Sequence, residues 1–122
     1  MSSIRRLVGS GVPPQTARNI NGTFSAGQTS AGTSQATGFL QTDDATEFTT
    51  VGASSACTLN SNNEAGDEII IANAGSNALL VYPEVGSQIN ALGANASFSL
   101  TNGKTALFKK VSATQYYSIL TA

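Results

Sequence analysis

The sequence predicts an all-β fold, a single small β-sandwich or jelly-roll-like barrel preceded by an extended N-terminal arm. Three observations carry the prediction. From Thr37 onward, short runs of β-branched and aromatic residues alternate with Asn, Asp, Gly or Pro at roughly eight- to twelve-residue spacing. No segment repeats its apolar residues at a helical period. The first 36 residues, by contrast, hold few large apolar side chains and cannot build a core of their own.

The elements follow in order. "TGFLQT" and "TEFTTV" are rich in β-formers, with Asp43-Asp44 as the turn between them, and "ACTLN" is a third short strand. "DEIIIAN" and "NALLVYP" are continuous apolar runs of the kind expected in strands buried on both faces. "NAGS" between them reads as a hairpin turn in which Gly75 takes a positive φ. "SQINAL" is a short strand or a single helical turn. "ASFSL" alternates and puts Phe98 and Leu100 on one face, and Gly103 in "TNG" supplies a permissive turn. "KTALFKKV" and "QYYSILT" complete the sheet, the latter with Tyr116, Ser118 and Leu120 on one face and Tyr117 and Ile119 on the other. The expected core is Leu40, Phe48, Leu59, Ile69, Ile71, Leu79, Val81, Ile89, Phe98, Leu100, Leu107 and Ile119.

The domain division is an arm over residues 1–36 and a body over 37–122. Pro13-Pro14 favours an extended arm. Charge divides similarly. Residues 1–42 contain Arg5, Arg6 and Arg18 and no acid, whereas the remainder sets three lysines against seven acids, a net of −4. A basic arm on an acidic body suits pairing with a sister copy or another acidic protein surface. Ile4, Arg5, Arg6, Leu7, Val8, Arg18, Ile20 and Phe24 are the candidate partner-binding residues of the arm, which is expected to add little to folding of the body and much to attachment. A body of this size buries a modest core, and Ile70, Leu80, Tyr82 and Tyr117 lie on second faces that need a cover; they are the candidate subunit-interface residues.

Only 11% of the residues are charged, against about 25% in ordinary globular chains. Three arginines without interleaved aromatics argue against nucleic acid as a partner. The chain has no histidine, which excludes a Ser-His-Asp triad, and no lysine has a convincing serine partner. The acids fall at turns and strand starts, where they are solvated, so no catalytic site is expected. "GSGVPPQ" lacks the Lys-Ser/Thr of a phosphate-binding loop. "NSNNEAGDE" is the one candidate calcium loop, and an ordinary Asn/Gly loop is the simpler reading; no metal and no cofactor are expected. Cys57, the single cysteine, sits among small and apolar residues as a buried, inert thiol. Tyr82, Tyr116 and Tyr117 pack rather than stack on glycans. No run reaches membrane-spanning length and Arg5-Arg6 precedes nothing like a signal peptide, so a soluble chain made in the cytoplasm is expected. Asn21 and Asn95 match glycosylation acceptors that then stay unused.

The segment "AGDEIIIANAGSNALLVYPEVGSQINALGANASFSLTNGKTALFKKVSATQYYSIL" resembles a group of small phage virion proteins. In that group a strand pair ends in a "VYP" or "VFP" motif and leads into "vGxqIN", an "NGK-A-F" strand and a closing aromatic strand. The matching positions are Val81-Tyr82-Pro83, Gly86, Gln88-Ile89-Asn90, Gly103-Lys104, Phe108 and Tyr116-Tyr117. The group includes head decoration (cement) proteins and tail-associated proteins. The resemblance implies a structural protein of the virion, located on the capsid surface, with the major capsid protein as partner and a homotrimer matching local three-fold positions. A tail-fibre or tail-adaptor domain is the alternative, and a carbohydrate-binding module the third.

Overall fold

The computed structural model describes residues 23–121. These form ten strands and no helix: β1 (Phe24–Thr29), β2 (Phe39–Leu40), β3 (Ala45–Thr50), β4 (Ala56–Thr58), β5 (Glu68–Asn73), β6 (Leu79–Tyr82), β7 (Gln88–Ile89), β8 (Phe98–Leu100), β9 (Thr105–Lys110) and β10 (Gln115–Leu120). The protein is all-β. The strands make two sheets, one of six in the order β1-β3-β5-β9-β10-β7 and one of four in the order β2-β4-β6-β8.

The chain crosses from one sheet to the other at nearly every turn. β1, β3 and β5 stack in parallel in the larger sheet, and β2, β4 and β6 stack in parallel in the smaller one. Three successive coils therefore lie on one another in a solenoid-like arrangement. β8 and β9 then close the two stacks with antiparallel pairings, and β9–β10 is a sequential antiparallel pair. This order departs from the sandwich or jelly-roll-like barrel expected from the punctuation.

The clearest departure is at "NAGS". Ile69–Ile71 and Leu79–Tyr82 do not form a hairpin, because β5 and β6 belong to different sheets. Asn73 makes the corner between them. Its side-chain amide donates to the carbonyls of Asn77 and Leu100 at 2.9 Å each, and its Oδ1 accepts from the Gly75 N–H at 3.0 Å. Asn77 in turn donates to the Val51 carbonyl at 2.8 Å. Gly75 is needed for space and not for a positive φ: a Cβ there would lie 2.8 Å from Val51 Cβ. Gly103, by contrast, has φ 79°, as its turn requires.

The core lies between the sheets. Phe48, Ile69, Ile71, Ala106, Phe108 and Tyr116 come from the larger sheet, Cys57, Leu79, Val81 and Leu100 from the smaller, and all are buried. Two edge-to-face aromatic pairs bridge the layers, Phe39–Phe48 at 5.1 Å and Phe98–Phe108 at 5.3 Å. Three expected core residues lie elsewhere. Because Ala106 and Phe108 take the inner face of β9, period-two alternation sends Leu107 outward, and Ile119 pairs opposite it on the same outer face. Leu40 ends β2 on the exposed side.

Phe24–Thr29, within the segment read as arm, is a strand paired with β3, so the division at residue 36 falls inside the first coil, between β1 and β2. Residues 31–38 pack over the outer face of the smaller sheet. The Thr58 hydroxyl donates to the Gln35 carbonyl at 2.7 Å and the Gln35 amide to the Pro83 carbonyl at 2.7 Å.

Candidate functional site

One end of the core is closed by polar side chains from strands β9 and β10 and from the β2–β3, β4–β5 and β6–β7 connections. Lys110, at the end of β9, follows Phe108 onto the inner face by alternation and is buried. Its Nζ donates to Glu84 Oε2 at 2.6 Å and to the Asn63 carbonyl at 2.6 Å, and sits 5.5 Å from the centre of the Tyr116 ring. Glu84 comes from the turn after β6, and its Oε1 is buried without a hydrogen-bond partner among the described residues. Asn63 donates to the Tyr116 hydroxyl at 3.2 Å and to Gln41 Oε1 at 2.9 Å, and Gln41 Oε1 also accepts from the Asn60 N–H. Burial holds the Tyr116 hydroxyl well above its ordinary range; the Asn63 contact lowers it, and the Glu84 charge raises it further.

Outside this plug lies an open depression of about 300 Å³ lined by Gln35, Leu40, Thr58, Leu59, Ser61, Glu84 and Val85. Leu40 and Val85 on its border are 53% and 81% exposed. Neither the ion pair nor the depression was legible as a site in the sequence, although period-two alternation in "LFKKV" puts Lys110 on the same face as Phe108.

A second feature covers the outer face of the six-stranded sheet. Phe24, Ala45, Ile70, Leu107 and Ile119 pair laterally across five neighbouring strands and form one apolar row. Phe24 is 74% and Ile119 70% exposed at its two ends. Beside the row run Glu68, Lys109 and Tyr117 on one side and Glu47, Ala72 and Thr105 on the other.

The residues proposed from sequence divide accordingly. Ile70 and Tyr117 come together on the outer face of the larger sheet, Tyr117 being exposed and Ile70 half-buried. Leu80 and Tyr82 lie half-buried on the smaller sheet, where the Tyr82 hydroxyl reaches the Thr33 carbonyl at 3.5 Å. Of the arm residues, Phe24 is on β1; Ile4, Arg5, Arg6, Leu7, Val8, Arg18 and Ile20 lie outside the described residues. The three tyrosines share no surface, since Tyr116 is buried and the other two belong to different sheets. Cys57 is fully buried, and burial pushes its thiol up to about 12. In the "NSNNEAGDE" loop, Asp67 accepts the Glu64 N–H at 2.8 Å. Among the described residues no three His, Cys, Asp or Glu side chains converge on a common point.

Comparison of the chain with protein-family models, with curated proteins and with solved structures gives no match.

Proposed function

We propose that the chain is a phage capsid decoration (cement) protein, a homotrimer that binds the major capsid protein on the outer surface of the head and stabilises the shell. The observation that carries the reading is the depression beside the buried plug. Glu84 and Val85, which stand between the Val81-Tyr82-Pro83 and Gly86 positions that carry the resemblance to virion proteins, line it, and there Val85 and Leu40 hold apolar side chains out to solvent. An open apolar border over a rigid floor suits a protein side chain better than a small molecule, which calls for an enclosing pocket. The chemistry of the body agrees: its thiol is buried, its buried carboxylate is paired with a lysine, and its other acids sit at turns and on exposed strand faces.

The test is cosedimentation of the purified chain with phage particles lacking it. Saturable binding that slows heat-induced disruption of the particles is expected, and Val85→Asp weakens it without unfolding the body. Absence of binding to heads counts against the reading. The tail-adaptor alternative is favoured by one feature, the stack of parallel coils, because such modules continue end to end; binding confined to the tail would select it.

A further inference from the structure

We infer that the apolar row on the outer face of the six-stranded sheet is the contact between copies in the homotrimer, with the three-fold axis parallel to the strands and over Ile70, an assignment that rests on the homotrimer reading and not on what the trimer binds. The row is uneven about its middle residue. On the β9 and β10 side Leu107 and Ile119 stand out from the sheet, Ile119 being 70% exposed. On the β1 and β3 side the row drops to Ala45, and the sheet carries a depression of about 240 Å³ lined by Phe24, Ala26, Ala45, Glu47, Ile70 and Ala72. One half of the face is raised and the other is hollow. Both lie on the same face of the same sheet, so neither can fill the other within one chain.

An axis parallel to the strands keeps every residue at its own height. It sets the β9–β10 half of one copy against the β1–β3 half of the next. Leu107 and Ile119 then enter the neighbouring hollow beside Phe24, and the Ile70 side chains of the three copies meet on the axis. The contact is heterologous and closes into a ring, because each copy offers one raised and one hollow half. Charge agrees on both sides of the row. Lys109 and Glu68 stand at one height, and Asp43, two residues before Ala45, is at that height on the other half. Lys109 of one copy therefore comes to Asp43 of the next, an opposite-charge pair across the contact. Glu68, beside the axis, keeps Lys109 of its own chain at 4.0 Å. On the other side of the row Glu47, Ala72 and Thr105 share a height, so Glu47 meets a Thr105 hydroxyl, a donor. An axis across the strands would do the reverse. It would lay hollow on hollow and bring Glu47 against Asp43, acid on acid.

The experiment uses the free natural chain and its variants. Sedimentation equilibrium is expected to give the mass of three copies, and Ile119→Asp to sediment as a single chain with an unchanged far-UV spectrum. Phe24→Cys and Ile119→Cys, together in one chain, are then treated with a short thiol cross-linker. Four strand spacings at about 4.8 Å separate the two positions by roughly 19 Å, too far to bridge within a chain. Cys57 is buried and does not compete. A covalent product of three chains on a denaturing gel is expected. A product that stops at two chains means two-fold pairing and overturns the inference. So does a trimer that gives no cross-link or survives Ile119→Asp, which leaves the homotrimer standing with its contact elsewhere. A single-chain mass for the natural protein overturns the inference and the homotrimer together.

Discussion

Thr46 is on the inner face of β3, and its hydroxyl is buried without a partner among the described residues. Valine has nearly the same shape and no such group to desolvate, so Thr46→Val is expected to raise unfolding free energy by about 1 kcal/mol, read by chemical denaturation. Lys110 has the opposite character. Its ion pair with Glu84 is 2.6 Å long and almost fully enclosed. Lys110→Met strands the carboxylate and is expected to cost about 3–5 kcal/mol, whereas Lys110→Met with Glu84→Met recovers much of that loss, because the damage lies in the uncompensated charge. The buried thiol sets an alkaline limit. In the unfolded chain Cys57 ionises near its ordinary 9.0, while in the fold it keeps its proton to about 12. The unfolded state therefore binds fewer protons in that window, and stability present below pH 9.0 falls as pH rises, at up to about 1.4 kcal/mol per pH unit from this group. Tyr116 is displaced in the same direction from 10.0 and adds to the fall. Denaturant midpoints at about pH 8 and about pH 10.5 check the slope, and Cys57→Ala is expected to flatten it.

At the scale of elements, the sequence announces which segments are strands more clearly than which strands meet. Ile69, Ile71, Leu79 and Val81 were legible as core because apolar side chains on alternate positions leave few other places for them. The partner of each strand was not, because a two-sheet corner and a hairpin turn use the same small polar residues. What separates them here is the Asn73 side chain, whose three hydrogen bonds hold β5 and β6 in different sheets. β1 went unread for another reason: "FSAGQT" is an edge strand with no fully buried residue, so its pairing with β3 comes from the backbone and leaves no apolar pattern. The corner offers a direct check. Gly75→Ala places a methyl 2.8–2.9 Å from Val51, whose backbone cannot yield easily. The expected loss is about 1–3 kcal/mol in chemical denaturation, and Val51→Ala in the same chain is expected to relieve only the part due to the valine side chain.

For the whole molecule, three parallel coils closed by antiparallel strands give a body with a polar plug at one end of its core and apolar side chains left on its outside. Phe24, Val85 and Ile119 are each more than two-thirds exposed. The candidate site is a property of this assembled shape. Leu40, Glu84 and Val85 are far apart or unremarked in the sequence and meet only because β2 and β6 share a sheet. On the proposed capsid reading, the apolar border at Leu40 and Val85 is the surface by which the chain is fixed in many copies on a larger particle. Its place is read most directly from the number of copies of the chain per purified phage particle, measured by quantitative mass spectrometry. Decoration of the head predicts hundreds of copies, in constant ratio to the major capsid protein; a handful per particle, or none, contradicts it.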